Sequence, residues 1–377
     1  LDGGGKINFT KITGKEGVEL FYNNLLRGKG GKRILEVDSR GVETTFELSE
    51  KPENGAALTL TIDSAFQEFV YDTLKDFTKE EKAASVVVLD PNTGAVRALV
   101  SSPGFDSNHI STNITRKELD AIQKNPLAPF FNRAIGGEFP SGSIFKPLIG
   151  AAAIAERIVD PKEKVLTKGY IEIPNPYRPE EHTIFPDWKN HGYVNFYDAI
   201  AMSSNVYFYI LGGGYEERQG LGVERIRKYA TAFGLGTKLG IDLPGERPGL
   251  VPGPETKKER EPENPIWRLG DTYNLSIGQG GLLVTPLQMV TAVGAIANGG
   301  TLYRPYILAS SSVDHLGRYR VGISETLREV FLDKATIRHV VKGMRQAVTN
   351  GTALLLSKIP FAVAAKTGTA QVGERKR

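Results

Sequence analysis

Cysteine is absent from the 377 residues, and that single absence removes disulfides, thiolate metal sites and thiol nucleophiles together. It leaves the redox compartment open, because a chain without thiols is compatible with any. No apolar run approaches the roughly 18 to 20 residues that span a bilayer, and none has the form of a signal peptide. Charge of one sign is in short supply as well. With 47 basic against 43 acidic residues the net charge is +4, and no basic stripe interleaved with aromatics is present for phosphates. Nothing therefore points to nucleic acid. Internal repeats and low-complexity tracts are also missing.

What remains is ordinary folded composition, with 40% hydrophobic and 24% charged residues of mixed sign. The length suggests two domains, or one large domain with an appendage. Up to about Glu53 the chain is Gly-rich and then alternates apolar and polar in Arg33–Val37 and Glu43–Leu48, which predicts short strands. Lys51–Gly55 reads as a linker, so a boundary is expected near residue 55. Leu58–Ile62 is β-like. Asp63 can cap a helix carrying Phe66, Val70, Leu74 and Phe77 on one face. Ala84–Leu89 and Ala95–Val100 flank Asp90-Pro91-Asn92-Thr93-Gly94, the pattern of an antiparallel hairpin.

Further on, Ser143 to about Ile158 reads as a buried helix rich in Ala and Ile. Helical patterns also cover Phe196–Met202, Val223–Phe233, Pro286–Asn298 and Ala335–Ala347. Asp242 to Pro265 is dense in Pro, Gly and charge and is expected to be a long surface loop. A short apolar strand, Phe361–Ala365, runs into Lys366-Thr367-Gly368-Thr369.

Three local motifs carry the chemistry: Ser143-Ile144-Phe145-Lys146, Ser203-Ser204-Asn205 and Lys366-Thr367-Gly368. Three residues apart on a helix, Ser143 and Lys146 share a face, so a neutral Lys146 amine can accept the Ser143 hydroxyl proton. An amine serves as that base only when its pKa is pulled down, and burial and a second cation, Lys366, both act in that direction. A serine near a helix N-terminus also has free N–H groups and the positive end of the dipole beside it, where an oxyanion develops. Pro140 and Pro147 suit a first helical turn better than a helix interior. Taken singly the motifs are weak. Ser-x-x-Lys recurs by chance, Ser-Ser-Asn after a helix also serves as a cap, and Lys-Thr-Gly also ends ordinary strands. Their conjunction, in this order and in these contexts, carries the argument.

This set is a known pattern of penicillin-binding proteins and class A β-lactamases, and the chain resembles a class B penicillin-binding protein of the elongation type. The likeness extends to Leu25–Lys29, Leu89–Gly94, Asn132-Arg133-Ala134, Phe139–Gly142, Asp242–Gly245, Gly270-Asp271-Thr272, Ser276–Gly280 and Thr285–Gln288. It implies an α+β fold: a five-stranded antiparallel sheet flanked by helices, plus a helical subdomain, with residues 56–377 as transpeptidase domain and 1–55 as the end of a β-rich pedestal. It further implies a peptidoglycan D,D-transpeptidase that β-lactams acylate. Ser143 would be the nucleophile, Lys146 the base and Ser203 the proton relay. Asn205 would hold the substrate amide and Lys146. Lys366 with the Thr367 and Thr369 hydroxyls would receive the terminal carboxylate, around Gly368, and the N–H groups of Ser143 and Thr369 would form the oxyanion hole. The implied partners are peptidoglycan stem peptides, β-lactams and a membrane-embedded glycan polymerase of the cell-shape type. The implied place is the bacterial cell membrane, catalytic domain outward, with an anchor ahead of Leu1 and further strands and a helix after Arg377.

No cofactor is expected. Asp187-Trp188-Lys189-Asn190-His191-Gly192 resembles a segment that supplies zinc ligands in some elongation-type relatives, but those add a cysteine where this chain has Ser204. One His and one Asp make a poor zinc site, so no metal is expected. A serine β-lactamase is a rival reading, disfavoured by the 163 residues between Ser203 and Lys366. A β-lactam sensor and a non-catalytic wall-binding scaffold are the others, and the intact Ser143/Lys146 pair argues against the scaffold.

Overall fold

Alternation in the N-terminal stretch produces an antiparallel pair, Lys32–Val37 with Glu43–Glu50, in the computed structural model, which describes residues 13–371 apart from 80, 113, 176, 177 and 330. Ahead of it, the short helices Gly17–Phe21 and Asn23–Leu26 bring Tyr22 and Leu25 against Ala56 and Leu308 in a small apolar cluster. The end of the expected linker and the residue after it fold back onto the second helix: Lys29 and Glu53 exchange backbone bonds, and Ala56 N–H donates to the Leu25 carbonyl.

The hairpin forms where it was expected. Ala84–Leu89 pairs with Val96–Ser102, Val86 opposite Val100 and Val87 opposite Leu99. Along the second strand Val96, Ala98 and Val100 are buried while Arg97 is exposed, the period of two that one covered face dictates. Leu58–Leu60 pairs with Leu308–Ser311 instead. Among the described residues the strands form two-stranded units, and the expected five-stranded antiparallel sheet is not among them.

Asp63 caps helix Ser64–Thr78, its carboxylate accepting from Phe66 N–H at 3.0 Å. The apolar face of that helix is largely uncovered among the described residues. Phe69 is 65% and Phe77 86% exposed, although Val70 and Leu74 are half-buried.

The main core is helical. Lys146–Ala155, Phe196–Met202, Asn205–Gly213, Gly222–Ala232, Leu269–Ser276 and Lys334–Asn350 enclose Phe145, Leu148, Phe196, Ile200, Phe208 and Tyr273. Each such side chain contributes roughly 1.5–3 kcal/mol by leaving water. Residues 146–153 are all buried, so Lys146–Ala155 is a core helix rather than an amphipathic one. It is preceded by a 3₁₀ turn, Gly142–Phe145, where a single helix from Ser143 was expected. No helix among the described residues is long and apolar enough to cross a membrane.

The stretch 242–265 departs from the expected surface loop. Asp242 and Glu246 are buried, and Pro254–Arg260 is a helix with proline in its first turn. The Asp242 carboxylate accepts from Ile307 N–H, Leu308 N–H and Tyr22 Oη–H at 2.6–2.8 Å, and Glu246 accepts from the N–H groups of Leu239 and Gly240. Buried carboxylates need such partners. Here most of the donors are backbone groups, to which sequence pattern is blind.

Candidate active site

Ser143 sits on the tight turn that opens the core helix, half-buried, between Gly142 and the fully buried Phe145. Gly142 has φ +55° and a Cβ there would lie 2.5 Å from the Thr369 carbonyl oxygen, so only glycine fits the close approach of these two backbones. Gly142 N–H donates to the Gly278 carbonyl at 2.8 Å, which ties the turn to Ser276–Gly280. The turn that carries Ser143 is thus held on one side by the Gly278 loop and on the other by the Lys-Thr-Gly segment. The N–H groups of Ser143 and Thr369 have no backbone acceptor among the described residues, as an oxyanion site requires.

Lys146 is 0% exposed. Its Nζ donates to the Ser203 carbonyl at 2.8 Å and to Asn205 Oδ1 at 2.7 Å, and lies 3.4 Å from Ser203 Oγ. Burial, then the Lys366 charge, hold its pKa well below the usual lysine range, while Asp187 pulls the other way. A neutral amine has two hydrogens and one lone pair. The Ser203 carbonyl and Asn205 Oδ1 account for the hydrogens, which leaves the lone pair to accept a proton. No hydrogen bond joins Ser143 Oγ to Lys146 among the described residues.

Lys366 Nζ donates to Ser203 Oγ and to the Thr367 carbonyl, both at 2.8 Å. Burial lowers its pKa to about 8, so at neutral pH it remains mostly a cation. Ser203 Oγ therefore stands between the two amines. Ser203 ends one helix in the left-handed region, φ +59°, and Ser204 caps the next by accepting from Tyr207 N–H. Ser-Ser-Asn is thus a cap and turn, and the same turn carries Ser203 Oγ to the two amines.

The Lys-Thr-Gly segment is not a ladder strand in the described residues. It is fixed by single bonds instead: Ala365 N–H to the Met344 carbonyl, Arg345 Nη1 to the Val363 carbonyl at 2.7 Å, and Thr367 Oγ1 to Thr352 Oγ1 at 2.8 Å. The Thr367 hydroxyl thus meets Thr352. Gly368 lies against the Ser141 carbonyl and Ile144, and Thr369 is exposed beside Gly142.

All three motifs converge on one place. Sequence reasoning missed Thr352, the Gly278 contact, and the role of Asp187. Asp187 Oδ2 accepts from Ser204 Oγ at 2.8 Å and Val206 N–H at 3.0 Å. That carboxylate oxygen is occupied, and Ser204 offers a hydroxyl where a thiolate would be needed, so the segment does not fit a zinc site. No group of three or more His, Cys, Asp or Glu side chains among the described residues is placed to hold a metal.

A serine on a helix-opening turn, a buried depressed lysine, a Ser/Asn turn and a second lysine on a facing segment define an acyl-serine site of the penicillin-recognising kind. The family model described as penicillin binding protein transpeptidase domain matches residues 84–377 and that of the penicillin-binding protein dimerisation domain matches residues 5–60; the chain belongs to the penicillin-binding protein transpeptidase family. Among individual proteins it is similar to peptidoglycan D,D-transpeptidase MrdA of Acinetobacter baumannii, 32% identical over 365 residues, 96% of this chain and 52% of that protein. The Escherichia coli K12 MrdA is 31% identical over 370 residues, 96% and 55% of the two chains. This chain therefore spans about half the length of the curated relatives it matches. A crystal structure of Pseudomonas aeruginosa PBP2 in complex with WCK 5153 superposes with a TM-score of 0.78 at 30% identity, over 96% of this chain and 73% of that one. A complex between PBP2 and MreC from Helicobacter pylori gives 0.76 at 29%, over 96% and 63%. The α+β penicillin-recognising fold expected from the motifs is the fold of these neighbours.

Proposed function

We propose that the chain is the catalytic portion of a peptidoglycan D,D-transpeptidase serving cell elongation. The observation that carries the reading is the buried Lys146, its pKa held well below the usual lysine range and its Nζ bonded to Asn205 and Ser203, one helical turn from Ser143. Ser143 Oγ attacks the penultimate D-alanine carbonyl of a stem peptide, its proton passing to the Lys146 lone pair as the C–O bond forms. The carbonyl oxygen becomes an oxyanion between the N–H groups of Ser143 and Thr369. The C–N bond then breaks, the departing amine takes its proton through Ser203, and D-alanine leaves. An acceptor amine attacks the resulting ester, forms the cross-link and returns the proton to Ser143. Lys366, charged below about pH 8, binds the terminal carboxylate together with Thr367 and Thr369.

β-Lactams acylate the same serine by this reading. The partner is a membrane-embedded glycan polymerase, and the domain works outside the cytoplasm. Support for assembly comes from the neighbours, one solved with MreC and one in a peptidoglycan synthase complex that coordinates polymerization and crosslinking. Intact-mass spectrometry after incubation with benzylpenicillin tests the core of it. The expected result is a one-to-one adduct stable over hours and absent from Ser143→Ala. No adduct on the folded protein would sink the assignment, and rapid loss of the adduct would favour a β-lactamase.

A further inference from the structure

Asp187 belongs to none of the three motifs, yet it is bonded to the middle of one. Its side chain is fully buried, and the two donors to its Oδ2, Ser204 Oγ–H and Val206 N–H, flank Asn205 on either side. Asn205 in turn accepts from Lys146. Ser204 Oγ accepts from Tyr207 N–H, so one carboxylate ties together the hydroxyl, the helix start and the turn on which Ser203 and Asn205 stand. Asp187 Oδ1 accepts from Trp188 N–H at 2.8 Å and lies 3.7 Å from His191 Nε2. That ring nitrogen is buried with no hydrogen-bond partner among the described residues, and burial lowers the imidazole pKa, so the ring is mostly neutral at neutral pH and leaves the carboxylate charge uncancelled. The titratable groups that face Lys146 are Lys366, Asp187 and His191. Two of these are basic, and Asp187 is the acidic one.

We propose that Asp187 is a positioning residue for acylation: its carboxylate clamps the Ser203–Asn205 turn against Lys146 and supplies a negative charge facing that amine. The inference rests on the acyl-serine reading above. Its two parts separate by mutation, because Asp187→Asn removes the charge and keeps an acceptor for Val206 N–H, whereas Ser204→Ala keeps the charge and removes the Ser204 bond to Asp187 together with the Tyr207 N–H cap that belongs to the same tie.

The experiment measures the rate constant for acylation by benzylpenicillin between pH 5 and 9, with folding checked by circular dichroism. Without the Asp187 charge the amine loses its proton more readily. For Asp187→Asn the acid limb should therefore move down by about half a pH unit or more, with the plateau lowered less than about tenfold. For Ser204→Ala the plateau should fall about three- to thirtyfold while the limb stays in place. An Asp187→Asn profile that superimposes on the wild type after scaling overturns the charge assignment. A Ser204→Ala plateau equal to the wild type overturns the clamp, and it reads out even if the Asp187 variant fails to fold. Acylation that is abolished by chelator and restored by zinc would overturn both, making Asp187 a metal ligand. A wild type that forms no Ser143 adduct fails at the earlier step and takes this inference with it.

Discussion

Lys146 and Lys366 both reach Ser203 and both have a lowered pKa, but the two walls they stand on are held by different physics. The Lys146 wall is a core helix with eight consecutive buried residues, packed against the helices Phe196–Met202 and Asn205–Gly213. The Lys366 wall is an extended segment, mostly exposed, attached through a few single hydrogen bonds. Desolvation on the first wall, joined by the Lys366 charge, holds the Lys146 pKa well below the usual lysine range; the lesser burial on the second leaves Lys366 at about 8, a cation at neutral pH that can meet an anion. One scaffold thus sets two identical side chains in different electrostatic surroundings, which suits the proposed division between a base and a carboxylate-binding cation.

The sharpest way to break this comparison is at Lys146. Lys146→Ala should slow acylation about a thousandfold, and Lys146→Arg should do no better, because a guanidinium keeps its proton. Stopped-flow acylation measures it. In stability the walls should differ as plainly. Leu148→Ala should cost about 2–5 kcal/mol in urea unfolding, whereas Phe361→Ala, at a position 70% exposed, should stay within about 0.5 kcal/mol. Lys366→Ala should lower acylation about a hundredfold, and much less for a ligand lacking the carboxylate. Smallest is the pH signature. The rate should rise as Lys146 gives up its proton at a pH below its usual range and fall as Lys366 loses its charge near pH 8. A plateau extending well past pH 9 would show that the Lys366 charge is not needed.

Much of the fold was legible where a local rule acts alone. Two apolar runs, Ala84–Leu89 and Ala95–Val100, around a Gly-containing loop marked the hairpin, and Asp63 marked the start of its helix. The helices at Phe196, Gly222, Pro286 and Lys334 fell within a few residues of their patterns. The motifs could be placed because each has a fixed spacing. What could not be read depends on contacts between distant residues. Asp242 and Glu246 look like loop carboxylates until their backbone donors are seen. The strand at Phe361–Ala365 was inferred from apolar run and context, and a ladder needs a neighbour that sequence does not display. Asp187 was noticed for its nearness to His191, whereas its working partners lie 17 and 19 residues away.

Ser203 is held at φ +59°, a backbone setting that costs a serine roughly 1–2 kcal/mol and a glycine little. The position therefore records which pressure has acted on it. In a library selected for thermal endurance alone, glycine or asparagine should displace serine at 203 within a few rounds, because the turn itself favours them. Selection for the proposed acyl-transfer activity should hold the hydroxyl against that drift. The residue between the two amines is one that folding by itself would discard.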